Sequence, residues 1–494
     1  MNLISSLRKN LLLISIIAVG ALMRFWRIRE YLTFLGDEGR DVLVVKRMLV
    51  DGKFTLLGPI TSVGSIYMGP VYYYLTAPFL YLWRYDPVGP AVMVALFSLL
   101  TIYFIYRIGK DFFNPVVGLV AAFTYSISRL AVIYGKSSWN PNVVPFFAVL
   151  LIFSALKAVI EKNYKYLVLT GFCLGFLIQL HYVTLMFFPI LFVLYLLLKP
   201  KVPLEYAILS LSAFLLAYSP FILFEIRHEF VNTKGAFNFM FQNNKEVATI
   251  YSGWWDTIRD VTVRVFWRPL IVQSAEITKI FMVASILLVF LSLKEIIKIK
   301  RSAIALKVIL IWLIIGILSF GLYRGAIYDY YFGSLFAVPH LIFGLVFYLV
   351  WIKGKLGKII AILILGFVAY FNIIHSPFMI EPNNMLKNTK EIADFVISKT
   401  DKKPYNFALI ADKNSDHAYR YFLEISGFKP VQIENPAVDS GRKTVTGQLL
   451  VVCEEKVCQP EGHPLWEIAG FGRAKIVGEW KVSTVKVFKL VKYE

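Results

Sequence analysis

The chain carries little charge. Of its 494 residues only 17% are charged, whereas 58% are hydrophobic and the mean hydropathy is +0.64. A soluble domain is about a quarter charged, and so few charges do not cover the surface of a soluble protein of this length. Most of the chain is therefore expected to face lipid.

Acidic residues and cysteines are also scarce. There are 32 Asp and Glu residues against 52 Lys and Arg residues, which gives a net charge of +20. In a multi-span protein such basic residues collect in cytoplasmic loops, so we predict a membrane setting and no nucleic-acid partner. The three cysteines lack the spacing of a zinc site. Cys453 and Cys458 are expected to form a small disulfide if their region is extracytoplasmic.

Long apolar runs are abundant, and they predict a polytopic α-helical membrane protein of about 11 spans. Basic loops place the N-terminus in the cytoplasm and the C-terminal region outside the plasma membrane. The first run lacks a small-residue cleavage site, so it is expected to be retained, with Arg24 to Arg27 as an interfacial anchor. The predicted spans are 10–27, 88–106, 115–134, 143–160, 165–181, 184–198, 205–224, 277–293, 304–322, 332–351 and 358–375.

Two large segments, about 28–87 and about 225–276, are predicted to form outer loops. Within the first, residues 67–86 are apolar but contain two prolines and six tyrosines, so they are expected to form an interfacial or re-entrant helix. Residues 1–376 are predicted to be the transmembrane module and residues 377–494 a soluble extracytoplasmic α/β domain. Its predicted strands are "YNFALIAD", "KPVQIEN", "GQLLVVCEE", "AKIVGEW" and "TVKVFKLV".

The stretch "FLGDEGRDVLVVKRMLVDG", residues 34–52, follows the first apolar run. Val42, Val45 and Met48 recur at helical spacing, and Gly52 is a plausible stop. The pattern predicts an amphipathic helix that lies on the outer membrane surface.

Asp37 and Glu38, at the start of this helix, have two interpretations. In one, Asp37 is an ordinary N-cap and Glu38 complements the helix dipole. In the other, they are working groups. Transfer from a lipid phosphate needs a carboxylate for the incoming hydroxyl and cations for the phosphate, and Arg40 brings both residue types within four positions.

The stretch "LGDEGRD…KRMLVDGKFTLLGP…GPVYYYL" resembles the first outer loop of the GT-C membrane glycosyltransferases. The branch with protein O-mannosyltransferases and lipid A aminoarabinose transferases is the most similar. The matching positions are Asp37-Glu38, Arg40 and the patch at residues 69–73, and the span layout agrees over roughly residues 10–375. The resemblance implies transfer of a hexosyl or pentosyl group from a polyprenyl-phosphate donor. It implies reaction on the outer face with inversion, with Asp37 as the catalytic base beside Glu38.

The resemblance does not identify the cation that binds the phosphate. Some relatives have a charged residue just before the Pro-Leu-Tyr patch, where this chain has Tyr67-Met68-Gly69. The sequence offers five substitutes and does not choose among Tyr72, Lys136, Arg227, Arg264 and Arg324. No metal or other cofactor is predicted, and a divalent metal held by His181 and a carboxylate is the alternative. The predicted substrate- and phosphate-binding residues are Arg40, Tyr72, Tyr73, Lys136, Asn140, His181, Arg227 and Arg324.

Several of these residues have a structural alternative. His181 and Arg324 lie where an interfacial histidine and a tyrosine belt are also expected, and Asn140 lies in what is otherwise a turn. For the whole chain the alternatives are a transporter or flippase, which usually has internal repeats, and a structural or sensory protein whose outer domain binds a ligand. We find no repeat. The acceptor is expected to be a protein, a lipid or a polysaccharide.

Overall fold

The computed structural model describes residues 3–61, 66–241 and 253–493, so parts of both predicted outer loops lie outside the described residues. The chain forms two compact units. The helical unit comprises Met1–Trp26, Phe54–Phe79 and Pro90–Glu381. The sheet unit comprises Arg27–Lys53, Leu80–Gly89 and Pro382–Glu494. The predicted domain boundary after residue 376 stays a prediction. The compact units differ from the predicted domains because two stretches of the first outer loop belong to the same unit as the C-terminal region.

Helices dominate the chain up to residue 381, as its apolar runs predict. Up to residue 241 they are α1 (Leu3–Phe25), α2 (Ile28–Tyr31), α3 (Gly36–Val50), α4 (Val71–Leu82), α5 (Val88–Phe112), α6 (Pro115–Ile127), α7 (Arg129–Tyr134), α8 (Val144–Ile160), α9 (Tyr166–Leu180), α10 (Phe187–Leu198), α11 (Leu204–Arg227) and α12 (Val231–Phe241). From residue 253 they are α13 (Trp254–Phe266), α14 (Ala275–Leu291), α15 (Leu293–Ile297), α16 (Lys300–Phe320), α17 (Ala337–Trp351), α18 (Gly354–Ile374), α19 (Met385–Ser398), α20 (His417–Ile425) and α21 (Trp466–Ala469).

Each predicted span coincides with one or two of these helices. Among the described residues, five helices are long and apolar enough to cross a membrane. Two bent pairs, Trp254–Ile271 with Ala275–Leu291 and Asp329–Leu335 with Ala337–Trp351, pass the same test together. The remaining predicted spans fall on shorter apolar helices. The helical architecture is therefore confirmed, whereas the number of crossings stays a prediction.

Arg24 is not the interfacial anchor that the sequence predicts. Its side chain is fully buried in the helical unit. Its Nε donates to Ser98 Oγ at 2.6 Å, and its Nη1 donates to the backbone oxygens of Gly20 and Ser126 at 3.1 and 2.9 Å. A guanidinium is buried at acceptable cost only with such partners, and an apolar run does not reveal them. Trp26 is 57% exposed, as an anchor would be.

The sheet unit has the predicted α/β character. Its strands are β1 (Asn406–Ile410), β2 (Gln448–Cys453), β3 (Ala474–Val482) and β4 (Val485–Lys492). The sheet has the order β1-β2-β4-β3, in which β1 and β2 are parallel and the other pairs antiparallel. Strands β1 and β2 are buried along their whole length. Cys453 and Cys458 are joined in the predicted disulfide.

The predicted strand "KPVQIEN", residues 429–435, is wrong. This segment is irregular, with one backbone bond from the Val431 N–H to the Tyr405 oxygen at 2.9 Å, and side chains satisfy further backbone groups in place of a neighbouring strand. Asn406 Nδ2 donates to the oxygen of Val431 at 2.8 Å, and Trp466 Nε1 donates to the oxygen of Ile433 at 3.1 Å. The alternation of apolar and polar residues along a short segment does not reveal that side chains distant in sequence take up its backbone hydrogen bonds.

Helix α3 forms as predicted, but its apolar face does not lie on the outer membrane surface. Val42, Val45 and Met48 are buried within the sheet unit, where α3 packs against α20. On its polar side, Arg47 Nη2 lies 2.7 Å from Glu424 Oε1. Helical periodicity identifies an apolar face, but it does not distinguish a protein partner from lipid.

Candidate active site

Helix α3 begins two residues earlier than an Asp37 cap requires. Leu35 is the N-cap and Gly36 the first helical residue, so the N-cap interpretation of Asp37 is wrong. Glu38 is the residue that reaches back, and its Oε2 accepts from the Leu35 N–H at 3.0 Å. Because Glu38 accepts the backbone hydrogen bond at the start of the helix, the Asp37 carboxylate is not needed as a cap.

Asp37 is accessible and held in place. Its side chain is 51% exposed, and its Oδ1 lies 2.8 Å from Arg40 Nη1, one helical turn away. Arg40 also donates to Asp41 Oδ1 from Nε and Nη2, at 3.0 and 2.8 Å. Asp41 is buried, so it fixes the guanidinium, which in turn orients Asp37. The arrangement presents one oriented carboxylate at the start of a packed helix.

Glu38 lies in a different environment from its neighbour. It is only 5% exposed. Burial, together with the nearby Asp37 and Asp41, raises the pKa of Glu38 to about 7, although its bond from the Leu35 amide acts in the opposite direction. Two adjacent carboxyl groups therefore have different roles available to them, since one is exposed and paired whereas the other is buried and half-protonated near neutral pH.

The Glu38→Gln variant is expected to remove a pH dependence of stability. Because the folded-state pKa of Glu38 is raised from 4.5 to about 7, folded protein binds this proton more tightly than unfolded protein. The free energy of unfolding should therefore fall by on the order of 3 kcal/mol as pH rises through that interval. Glutamine keeps the acceptor for Leu35. Melting temperatures between pH 4 and 8 should show the parent losing stability relative to the variant.

The exposed Glu391 in α19 provides the control for this measurement, because its side chain is 51% exposed. A Glu391→Gln variant should follow the parent at every pH. Parallel curves for the parent and the Glu38→Gln variant would show that Glu38 is not the titrating group.

Tyr72 and Tyr73 are buried in the helical unit. The Tyr72 hydroxyl is 2.8 Å from Ser138 Oγ, which joins α4 to the predicted second outer loop. Gly69, at the start of the patch, lies so close to Gln179 that an added Cβ would be 2.2 Å from its Cγ. The "GPVYYYL" patch therefore packs on the end of α9.

Lys136 and Asn140 are also buried in the helical unit. Lys136 Nζ lies 3.8 Å from the ring centre of Phe378 and 3.4 Å from the backbone oxygen of Trp26. Burial and the nearby charge of Arg24 lower the pKa of Lys136 to about 7, so it is only partly charged at neutral pH. Asn140 Nδ2 donates to the oxygen of Leu180 at 2.7 Å.

His181 lies beside an aromatic cluster formed with the 323–331 loop. Its ring centre is 4.8 Å from that of Tyr331 and 6.1 Å from that of Tyr330. Trp139 approaches Tyr330 to 4.3 Å. The structure thus brings together the predicted loops around residues 136–140, 181 and 323–331. Arg227 and Arg324 are exposed.

The sequence pattern gives little indication of a second charged group, which we call the arginine cluster. It is formed by Arg264, Arg268 and Asp329. Arg264 Nη2 lies 2.6 Å and Arg268 Nε 3.1 Å from the two oxygens of Asp329, so two cations share one carboxylate. The sequence names Arg264 as one candidate among several but does not single out Arg268. The motif "FWRP", which contains Arg268, is the sequence signal for this position.

The backbone beside this cluster is unusual. Trp267–Ile271 is a π-helical turn, a form found frequently at functional sites. Val272 follows at φ 63°, which is strained for a β-branched residue. Arg268 Nε is buried and makes no aligned hydrogen bond within the described chain, although its side chain is 37% exposed. Arg264 also pairs with Asp260 at 2.8 Å, so with Asp260 the cluster holds two guanidinium groups and two carboxylates, and the Nε–H of Arg268 is its unused donor.

The predicted residues belong to different units. Asp37, Glu38 and Arg40 are in the sheet unit, and the other predicted site residues are in the helical unit. Within the described residues, no group of three or more His, Cys, Asp or Glu side chains is arranged to hold a metal ion. The roles of all these residues stay predictions, as does the expected lack of a cofactor.

Comparison with known proteins adds independent findings. Residues 68–224 match the family described as dolichyl-phosphate-mannose-protein mannosyltransferase. No curated protein sequence matches the chain. The match begins at the "GPVYYYL" patch, so it covers part of the region that carries the resemblance.

Two solved structures are similar over most of the chain. One is ArnT from Cupriavidus metallidurans bound to undecaprenyl phosphate, at 14% identity and a TM-score of 0.61, covering 96% of this chain and 97% of that one. The other is the archaeal oligosaccharyltransferase AglB from Archaeoglobus fulgidus, in complex with an inhibitory peptide and a dolichol-phosphate. It has 13% identity and a TM-score of 0.56, and the match covers 91% of this chain and 70% of that one. The fold expected from the resemblance is thus confirmed.

Proposed function

We propose that this chain, which has the fold of the GT-C membrane glycosyltransferases, moves a sugar from a polyprenyl-phosphate donor to an acceptor hydroxyl. The reaction takes place on the outer membrane face and inverts the anomeric carbon. The observation that carries the proposal is Asp37, an exposed carboxylate that Arg40 orients on an otherwise packed helix in a chain of this fold.

The comparisons support the class of donor. The family matched over residues 68–224 is described by a dolichyl-phosphate-mannose donor. ArnT was solved with undecaprenyl phosphate and AglB with a dolichol-phosphate. Both lipids consist of a long apolar tail and one phosphate. A mainly apolar protein can accommodate such a tail, and its arginine side chains can bind the phosphate.

The proposed step is a direct displacement. The acceptor hydroxyl oxygen attacks the anomeric carbon on the face opposite the phosphate. The bond between that carbon and the phosphate oxygen breaks, and the polyprenyl phosphate leaves with the electron pair. Asp37 accepts the hydroxyl proton, which is the role of a positioned general base. Arg40 holds the Asp37 carboxylate in orientation for this transfer.

The arginine cluster is the proposed site for the donor phosphate. Arg264 pairs there with both Asp260 and Asp329, and Arg268 shares Asp329, so the Nε–H of Arg268, which has no aligned acceptor within the described residues, is the donor that a phosphate oxygen can take. Lys136 is a weaker candidate because its burial disfavours the charged form. Charge that develops on the departing phosphate is stabilised by such preorganised cations.

The proposed orientation rests on charge and on sulfur chemistry. Basic residues concentrate in the loops assigned to the cytoplasm. The Cys453–Cys458 disulfide is favoured in an oxidising compartment, which supports an extracytoplasmic C-terminal region.

The full chain in proteoliposomes provides the direct test. Radiolabelled polyprenyl-phosphate mannose and arabinose should be supplied separately with protein, lipid and polysaccharide acceptor fractions. We expect one donor to be consumed, with label entering one acceptor fraction and free polyprenyl phosphate released in equal amount. NMR of the product should show the inverted anomer. Passage of a solute or lipid across the vesicles without donor consumption would instead support the transporter or flippase.

A further inference from the structure

Asn414, in the C-terminal domain, is bonded directly to the start of α3. Its Oδ1 accepts from the Gly36 N–H at 2.9 Å. Its Nδ2 donates to both carboxylate oxygens of Glu454, at 2.9 and 3.1 Å. The Tyr419 hydroxyl donates to the same Glu454 Oε1 at 2.7 Å. One side chain thus joins the first backbone amide of α3 to a fixed carboxylate of the sheet unit.

Two glycines bring the α3 backbone close enough for this bond. A Cβ added at Gly36 would lie 2.0 Å from Ser415 Oγ, and one added at Gly39 would lie 2.3 Å from the Ala418 nitrogen. Atoms do not approach so closely, so any larger residue would push α3 away from this segment. Gly36 and Gly39 flank Asp37 and Glu38, and the close approach therefore occurs at the carboxylates themselves.

The remainder of α3 is anchored separately. Glu424 in α20 pairs with Arg47 at 2.7 Å and with Lys46 at 3.9 Å. Removing the Asn414 bonds should thus loosen only the first turn of α3, because the far end keeps its own ion pairs and its buried apolar face.

We infer that Asn414 is a positioning residue for Asp37. Through Asn414, the C-terminal domain holds the catalytic carboxylate in position. The inference rests on the proposed function, because it assigns the C-terminal domain a part in the same reaction. Asn414 acts through the Gly36 amide and does not touch the substrate. Glu454 fixes Asn414 in turn, since an amide that bridges two partners has only one favourable orientation.

The Asn414→Ala variant of the full chain tests this inference. We expect kcat to fall about tenfold or more with the donor KM unchanged, because a small displacement of a catalytic group has effects of this size. Hydrogen exchange at residues 36–39 should become faster, while exchange in β1 and β2 stays unchanged. In the Asp37→Asn background the same substitution should cause no further loss of activity, because its effect passes through Asp37.

Exchanging the hydrogen-bond donor and acceptor between Asn414 and Glu454 distinguishes a positioning role of Asn414 from a general loss of stability. Asn414→Asp alone keeps the acceptor for Gly36 but places two carboxylates face to face, so it should impair activity. Adding Glu454→Gln restores the pairing, because the glutamine amide donates to the new carboxylate and still accepts from Tyr419. We expect the double variant to recover most of the parent kcat, which a merely destabilised domain would not do.

Asn435 provides the matched control. Its Oδ1 also accepts a backbone amide at 2.9 Å, from Ala437, but that bond stays within the C-terminal domain. Asn435→Ala should leave kcat and exchange at residues 36–39 unchanged. The inference is wrong if Asn414→Ala leaves both unchanged, if exchange rises throughout the sheet unit, or if the loss adds fully to that of Asp37→Asn.

The failure of this inference differs from failure of the proposed function. If the parent consumes no polyprenyl-phosphate donor, the proposed function fails and the catalytic part of the inference fails with it. The exchange measurement still decides whether Asn414 holds the first turn of α3. If the parent is active and Asn414→Ala is fully active, only the inference fails.

Discussion

Replacing Asp37 with asparagine is expected to lower kcat for sugar transfer by roughly 10²- to 10⁴-fold, the usual contribution of a general base. The asparagine amide oxygen still accepts from Arg40, so the first turn of α3 should keep its geometry. It no longer accepts a proton from the acceptor hydroxyl. The donor KM should change little, because the carboxylate acts on the acceptor. Initial rates with the donor identified in proteoliposomes measure the effect.

Asp256 is the matched control for this substitution. It lies in the first turn of α13 and pairs with Arg259 three residues later, as Asp37 pairs with Arg40 in α3. Its side chain is 55% exposed, close to the 51% of Asp37. Asp256→Asn should retain the parent rate. A fully active Asp37→Asn variant with a normal melting temperature would exclude Asp37 as the base.

Replacing Arg268 with glutamine is expected to lower kcat/KM for the donor by roughly 10- to 150-fold, which corresponds to the loss of one hydrogen bond to a charged group. Arg268 is preferable to Arg264 for this test. Arg264 also donates to the Ile327 oxygen at 3.0 Å, so its removal would disturb the loop. Arg268 makes an unaligned ion pair with Asp329, and its guanidinium lies over the Trp267 ring at 4.2 Å from the ring centre. Free polyprenyl phosphate should inhibit the variant less strongly than the parent.

The control for the second substitution is Arg259→Gln. Arg259 lies on α13 near the cluster in sequence, and its side chain is 75% exposed. It should show the parent kcat/KM and the parent inhibition by free polyprenyl phosphate. If Arg268→Gln binds free polyprenyl phosphate as tightly as the parent, the phosphate is held elsewhere and the arginine cluster is structural.

Part of the candidate site was predictable because it depends on local sequence. Asp37 and Arg40 are three residues apart, so any helix through them places the two side chains side by side. Gly52 follows the end of α3 at φ 64°, as a helix stop predicts. The cap was misassigned because helix ends depend on one or two residues of backbone geometry. Leu35 takes the N-cap position that Asp37 was expected to take, and Glu38 supplies the side-chain acceptor for the Leu35 amide.

Composition and short-range periodicity are enough to predict the apolar helices, the α/β character of the C-terminal region and the neighbouring carboxylates. The packing of α3 on α20, the burial of Arg24 and the contact of Arg268 with Asp329 depend on the folded chain. An apolar stripe packs equally well on lipid or protein. A charge pair between distant residues depends on how whole helices pack, and no local pattern encodes that packing.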